Sequence, residues 1–365
     1  MAAVVNRRRP HLFAGPRKLE AFCEREYGRD VLENMHVCSN GLAVPVPIMG
    51  VAAAAYRGTI VPRTAPNLSA LWRRNFRHAI AGERGGFASL ADLISEATSG
   101  GKAQDITFYK TGAAPGATAG TSPLWNVGNV PGAGGVGGTS GTGAVPARNA
   151  TGALAQTNAA GGDTLHLTTA KVLSTVAGCL MLYDRLWHMT YNHASSTSTS
   201  VDSANRPSRY QGSSTAPGNF LTHEVTTVMS ATAHTLTVTY VDDQGNTAEA
   251  GSAKAIRVSS AVQTILWTAP EWTYTLNSGD RGLRYITVQA QSTTASVTGV
   301  SSAVIGHPLA LIPIPVANIG CVLDGVNSAF NLVQIQDDAC LSMMDFQKSA
   351  NTAATLQGII KLVSG

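Results

Sequence analysis

The chain has 365 residues, of which 44% are hydrophobic and only 13% are charged, with a formal net charge of +4. This length allows one large or two ordinary domains, and the apolar fraction argues against a disordered chain. Low charge combined with many Gly, Ala, Ser and Thr residues favours β-sheets whose outer faces are covered by neighbouring chains; a monomeric all-β enzyme is the alternative.

The charge is unevenly distributed along the chain. Residues 1–84 contain 13 Lys or Arg and 6 Asp or Glu, a difference of +7, so the remaining residues contain 13 and 16, a difference of −3. A basic N-terminal arm on a slightly acidic body often contacts an acidic surface or nucleic acid. The alternative is a set of helices with ordinary solvated arginines.

The N-terminal region opens with the basic arm Arg7, Arg8 and Arg9 and then predicts short helices. Helical spacing is present from Pro16 to Met35 and again in residues 69–83, whereas the prolines between Leu42 and Ala55 favour extended backbone. A third short helix is predicted over residues 89–98, with Ser89 as its cap and Gly100 and Gly101 beyond its end.

The second predicted helix has two unlike faces. Trp72 belongs to an apolar stripe, and the opposite face carries Arg73, Arg74 and Arg77. Because the aromatic residues do not share a face with the arginines, they resemble anchors against protein more than platforms for base stacking. We therefore predict inter-subunit contacts here and do not favour nucleic-acid binding.

The cysteines and apolar runs give no sign of export or of a membrane segment. The five cysteines, Cys23, Cys38, Cys179, Cys321 and Cys340, show no metal-binding or redox spacing, so reduced thiols are expected. No apolar run has the length of a signal peptide core or a membrane span. We expect a protein made in a host cytoplasm that stays there until it is assembled.

A Gly-, Ala- and Thr-rich region extends from Thr111 to Gly162. Its composition is that of a flexible linker, yet it contains Trp125, and an indole is costly to leave in solvent. We predict a long, ordered, irregular loop that is pinned at Trp125 and lies over the protein or a neighbour. A disordered insert is the alternative.

From Leu165 onward the chain predicts eight to ten short strands with turns between them and no helical crossover. The clearest pattern is residues 220–260, read as three consecutive antiparallel strands around a turn at 242–246. In the middle strand Leu236, Val238 and Tyr240 share one face, and Thr235, Thr237 and Thr239 share the other. The fold class expected is mainly β: an antiparallel sandwich of jelly-roll or immunoglobulin-like kind, with a partly helical N-terminal region and a long Gly-rich loop.

No catalytic constellation is indicated. The histidines near Asp184 and Glu224 lack a known metal-ligand spacing, and no G-x-S-x-G or phosphate-loop motif occurs. Asp242-Asp243 and Asp337-Asp338 are typical of turns rather than of paired catalytic carboxylates. We therefore expect neither an enzyme nor a bound metal or cofactor.

Several strand and turn phrases resemble virion structural proteins of tailed bacteriophages. They are GCLMLYDRLWHM, TLTVTYVDDQGNTAE, LNSGDRGLRYI, GHPLALIPIP and DDACLSMMDF, all within the C-terminal half. The resemblance implies a non-catalytic particle component that is present in many copies. It does not place the protein within the virion.

The expected organisation is an arm and short helices in residues 1–104, a Gly-rich loop region in 105–164 and a β-sandwich in 165–365. The first hypothesis is a head-associated decoration or cement protein, a homo-oligomer such as a trimer that binds other virion proteins, for example the major capsid protein. The alternatives are a tail, collar or fibre component, and, in another class, a carbohydrate-binding or hydrolytic module that uses Trp187, Trp267 and Trp272. Expected inter-subunit contacts are Arg7, Arg8, Arg9, Trp72, Arg73, Arg74, Arg77, Trp125, Thr235, Thr237 and Thr239.

Overall fold

The computed structural model describes residues 35–37, 43–45, 87, 89–98, 100–112, 120–195, 197–202, 205–268, 271–295, 297–326, 332–348 and 352–365. By its internal contacts the chain divides into two compact units: residues 1–75 with 327–329, and residues 76–326 with 330–365. The domain boundaries expected at residues 104 and 164 stay predictions.

In the first unit, the described residues form two short antiparallel strands, β1 (Met35–Val37) and β2 (Ala43–Pro45), with Met35 opposite Pro45. The predicted helix from Pro16 lies outside the described residues except for its last position, Met35, which begins β1. The second predicted helix, over residues 69–83, also lies outside them.

The second unit is mainly β, with antiparallel sheets in a sandwich-like arrangement, which confirms the expected fold class. Helix α1 (Leu90–Thr98) is its one helix within the described ranges. The Ser89 hydroxyl accepts a hydrogen bond from the Asp92 amide at 3.1 Å, as a cap does, and Gly101 follows the helix with φ of 68°. The predicted third helix and its cap are confirmed.

The central sheet has the strand order β4-β16-β6-β13-β8. The bounds are β4 Thr121–Pro123, β6 Gly178–Asn192, β8 Phe220–Thr227, β13 Val300–Ile314 and β16 Leu341–Gln347. Strands β6 and β13 pair along their whole length, from Val300 opposite Asn192 to Ile314 opposite Gly178. This long pairing forms the middle of the central sheet.

A second sheet, here called the threonine sheet, has the order β10-β9-β12-β7, with β11 also paired to β9. The bounds are β7 Ser198–Ser200, β9 Thr235–Asp242, β10 Glu249–Ala250, β11 Lys254–Ala255 and β12 Leu283–Gln291. All of its pairs are antiparallel.

A third sheet, here called the C-terminal sheet, has the order β14-β5-β17-β3, with β15 paired to β5. The bounds are β3 Ala103–Thr111, β5 Leu165–Ser174, β14 Cys321–Asp324, β15 Val333–Ile335 and β17 Thr355–Ser364. Helix α1 packs at its margin, where Leu93 meets Phe87 and Val363.

The central sheet lies between two apolar cores. Tyr183 of β6 belongs to the core shared with the threonine sheet, and its neighbour Leu182 belongs to the core shared with the C-terminal sheet. Adjacent strand residues point to opposite faces, so a strand buried on both sides needs a continuous apolar run. The sequence CLMLY in β6 supplies that run.

The Gly-rich segment, residues 120–162, completes the edge of β6. Strand β16 covers only residues 178–184 of β6. Beyond that point Ala144 and His188 exchange backbone hydrogen bonds at 2.8 and 3.0 Å, and the Thr190 amide donates to the Gly138 carbonyl at 2.9 Å. The segment is ordered and largely irregular, as predicted.

The predicted trio of consecutive antiparallel strands is wrong in one respect. Strand β8 pairs with β13 in the central sheet, whereas β9 pairs with β12 in the threonine sheet. The turn between them therefore carries the chain from one layer to another. The third strand of the trio is represented only by β11 (Lys254–Ala255), and residues 265–267 and 272–276 are irregular, with one isolated bridge at Ile265.

Candidate assembly surfaces

The outer face of the threonine sheet is built from small uncharged side chains. Leu236, Val238 and Tyr240 are fully buried against the central sheet, which leaves the three threonines of β9 half-buried on the outside. This alternation is the one predicted from the sequence. Thr239 lies opposite Val288, and Thr237 lies opposite Ala290.

The neighbouring strands carry the same kind of small, uncharged side chains on this face of the sheet. Ser200 and Ser198 of β7 lie opposite Val288 and Ala290. On the other side, Ala250 and Ala255 lie beside β9. We call these residues the threonine face: Ser198, Ser200, Thr235, Thr237, Thr239, Ala250, Ala255, Val288 and Ala290. None of these nine residues is charged, so a second protein surface could cover them without desolvating an ion. At the margin of the face the Arg206 guanidinium lies 3.8 Å from the Tyr285 ring centre.

Trp125 is only 2% exposed and is held by its own chain. Its indole Nε1 donates to the Gly135 carbonyl at 2.7 Å, and the Arg185 guanidinium lies 4.5 Å from the ring centre. A Cβ on Gly134 would lie 2.3 Å from the indole, so only glycine lets the segment fold back over the ring. Trp125 therefore pins the loop, while its predicted contact with another subunit stays a prediction.

Two glycines explain why the segment can lie flat on β6. A Cβ on Gly137 would come within 2.5 Å of the Met189 amide nitrogen, and one on Gly143 would come within 2.2 Å of the Trp187 ring. Gly143 also has φ of 66°, in the left-handed region. The composition that resembles a linker is thus a requirement of close packing.

A buried ion pair lies beneath the loop. Arg185 and Glu224 are both fully buried, and the guanidinium donates to both carboxylate oxygens at 2.7 and 2.9 Å. The Arg185 Nη1 also donates to the Tyr183 hydroxyl oxygen at 3.2 Å. Because a bidentate pair of this kind needs one geometry, it fixes the register of β6 and β8 around β13.

The histidines noted in the sequence serve separate partners. His188 Nδ1 lies 3.2 Å from Arg185 Nε, and Asp184 pairs with Arg209 at 2.7 Å. His193 Nε2 lies 2.9 Å from the Ser301 hydroxyl and its Nδ1 lies 3.1 Å from Gln291. Among the residues that the structure describes, no three His, Cys, Asp or Glu side chains converge as a metal site would require.

The His193–Ser301 pair has the spacing of a base and a nucleophile, but both side chains are fully buried. Burial also lowers the pKa of His193 to about 4. The turn carboxylates are likewise engaged: Asp242 accepts three backbone amides, and Asp338 accepts from Arg148 at 2.6 Å. These side chains therefore stabilise the fold of their own chain.

A groove of about 840 Å³ opens where β8 begins beside β13. Its wall is an aromatic row in which the half-buried Trp272 lies 4.9 Å from Phe220 and 5.2 Å from Phe346, measured between ring centres. Trp187 and Trp267, the other two candidates for sugar stacking, are 2% and 1% exposed. The sequence named Trp272 as a candidate for sugar stacking but gave no sign of the groove, because its lining comes from segments far apart in the chain.

The remaining predicted contacts, Arg7, Arg8, Arg9, Trp72, Arg73, Arg74 and Arg77, lie outside the residues that the structure describes. Their role between subunits stays a prediction. No helix in the described part of the chain is long and apolar enough to cross a membrane.

Comparison with known proteins finds no sequence match and a weak structural similarity. No family model matches the chain, and no curated protein matches it. Among solved structures, the chain has weak similarity to a viral capsid protein, VP2 of infectious bursal disease virus. A subviral particle of VP2 gives 10% identity over 72% of this chain and 80% of that one, with a TM-score of 0.15. A structure of the Gt strain of the same virus gives 9% identity over 72% of this chain and 80% of that one, with a TM-score of 0.15. A TM-score at this level supports no argument about function.

Proposed function

We propose that this chain is a non-enzymatic structural component of a virus particle, present in many copies that contact one another through the threonine face. The observation that carries the proposal is the set of nine uncharged residues on the outer face of a five-stranded sheet. Solvent faces of antiparallel sheets ordinarily carry polar residues, and edge or face charges prevent association. A flat face of Thr, Ser, Ala and Val residues suits burial against another subunit.

The layered body supports this proposal. Two of its ion pairs are internal: Arg185 with Glu224 and Asp184 with Arg209. The chain has 13% charged residues, and some of them are thus unavailable to keep the surface solvated. A protein whose surface is to be covered in a particle needs fewer solvating charges than a free monomer.

Within the particle, we propose a position on the head of a tailed bacteriophage, as a decoration or cement protein that contacts the major capsid protein. The support is the resemblance of the C-terminal strand phrases and the basic character of residues 1–84. A tail, collar or fibre position is the second candidate, because a sandwich with two outer sheet faces suits either site.

The test compares two lysine substitutions. Thr237→Lys places a charge at the middle of the threonine face, and Ala155→Lys places the same charge at an exposed loop position outside it. We expect T237K to lose binding to the native particle in negative-stain images while A155K binds across the head. Equal binding by both variants would contradict the proposed contact, and labelling of the tail alone would contradict the head position.

A further inference from the structure

Four exposed aliphatic side chains of the described surface lie in one uncharged stretch of the chain. Residues 308–323, PLALIPIPVANIGCVL, contain no charged residue. Four of them are more than half exposed: Leu311 at 58%, Val316 at 51%, Ile319 at 56% and Val322 at 60%. Together these four side chains expose on the order of 350 Å² of apolar surface within a short stretch of the chain, which favours a contact site.

The turn within this stretch is held in a fixed shape. Asn318 has φ of 61°, and its amide donates to the Ser174 carbonyl of β5 at 2.7 Å. Asparagine tolerates the left-handed region better than other residues with a side chain. We call residues 315–320 the aliphatic turn. Because the turn is anchored to β5, Val316 and Ile319 are presented to solvent with little conformational entropy left to lose on binding.

The groove lined by Trp272, here called the Trp272 groove, offers a matching apolar surface. Leu311 belongs both to this groove and to the uncharged stretch 308–323. Polar groups of its lining already have partners within their own chain. Asn277 Nδ2 donates to Glu249 at 2.7 Å, and Asn219 Nδ2 donates to two carbonyls at 3.0 Å. Arg281 pairs with Asp243 at 3.0 Å, and Asp280 accepts from the Tyr240 hydroxyl. A sugar would need free polar groups at such a site. What remains is the aromatic row, which suits aliphatic side chains.

We infer that the Trp272 groove of one copy receives the aliphatic turn, with Val316 and Ile319, of a second copy, and that the contact is reciprocal about a two-fold axis. The groove and the turn lie next to each other along β13, so one rotation can place each turn in the other copy's groove, as an isologous interface requires. The turn carries no charge, so its approach to the groove meets no like-charge repulsion.

The size of the contact agrees with a stable dimer. Val316 and Ile319 of two turns contribute on the order of 400 Å² of apolar surface. The other turn residues and the walls of two grooves are covered in addition, so the contact approaches the standard interface range of about 1,200–2,000 Å² in total. This inference rests on the proposed function and deepens it by adding a second contact between copies, at a surface separate from the threonine face.

The test uses charge complementation between copies. Ile319→Glu places a carboxylate on the turn, and Thr275→Lys places an ammonium group on an exposed residue of the groove. In sedimentation equilibrium, we expect the wild-type chain to be a dimer and each variant alone to associate at least about tenfold more weakly. An equimolar mixture of I319E and T275K should recover a dimer with one copy of each, seen by native mass spectrometry, because the introduced carboxylate then meets the introduced ammonium group.

Ile94→Glu is the control, since Ile94 is 53% exposed on α1; it should dimerise like wild type. Thermal transitions show that each variant is folded.

Three outcomes would overturn the inference: a monomeric wild type, an I319E variant that self-associates like wild type, or a mixture that associates no more strongly than its two components. Loss of particle binding by I319E with self-association unchanged would also overturn it, in favour of a different partner protein. Because T237K leaves the turn and groove intact, it should still dimerise, so failure of this contact and failure of the threonine face are separable.

Discussion

At the scale of single residues, the buried pair Arg185–Glu224 is the most demanding feature of the molecule. Both side chains are removed from water, and their bidentate hydrogen bonds offset part of the cost. No local pattern in the sequence indicated the pair, because its members are 39 positions apart on strands that meet only through β13.

Replacing Glu224 with Gln should therefore destabilise the protein by about 3–5 kcal/mol, because the Arg185 charge is left buried without a counter-charge. Glu271→Gln is the matched control: Glu271 pairs with Lys254 at 3.1 Å, but its side chain is 56% exposed. We expect less than about 1 kcal/mol for that change. Urea unfolding measures both, and equal midpoints for the two variants would show that the buried pair is not a structural constraint.

At the scale of elements, local patterns predicted local features well. The alternation in β9, the Ser89 cap and the turn at Asp242 each depend on residues within a few positions of one another, and each is present. The order of strands in the sheets was not predictable in the same way. Alternation reports which face of a strand is buried but not which strand covers it, so the assignment of β8 and β9 to different sheets required the structure.

The Gly-rich segment gives a prediction at this scale. Gly137→Ala should lower stability by about 1–3 kcal/mol, because the added Cβ meets the backbone of β6 and cannot be relieved by a side-chain rotation. Gly135→Ala, two residues away, has open space around its Cβ and should change stability by less than about 1 kcal/mol.

The measurement is thermal unfolding together with hydrogen exchange at the His188 amide, which donates to Ala144. Faster exchange at this amide in G137A alone is the expected result. Equal exchange in both variants would mean that the segment does not depend on close approach to β6.

At the scale of the whole molecule, the two cores hold several histidines in the neutral form. Burial lowers the pKa of His188 and His223 to about 3 and of His193 and His307 to about 4. In the unfolded chain these groups titrate near 6.5. Below that pH the unfolded state binds protons that the folded state does not, so stability is fully present above about pH 6.5 and falls as the pH drops toward 4.

Two aspartates act in the opposite direction. Burial raises the pKa of Asp345 to about 6 and also raises the pKa of Asp184. Asp345 takes up a proton in the folded state first and favours folding as the pH falls from about 6 to 4, and the raised pKa of Asp184 acts in the same direction. Four histidines outweigh two aspartates, so the net expectation is loss of stability on acidification.

The expected slope is about 1.4 kcal/mol per pH unit for each histidine. Urea midpoints measured at pH 7.5, 6, 5 and 4 would show it. His307→Gln should reduce the slope by about one such increment, whatever it does to stability at pH 7.5. A stability that is constant between pH 7.5 and 4 would contradict neutral burial of these rings.

The completion of β6 by the Gly-rich segment has a consequence for a protein held at high local concentration. An uncovered half of a 15-residue strand would be a template onto which another chain could add, and repeated addition leads to fibrils. The segment occupies that edge through isolated bridges at Gly138 and Ala144 and offers no continuous strand along this half of β6. Growth by edge-to-edge addition therefore ends at this segment, and copies are left to meet through their faces, where contacts can be reversible and specific.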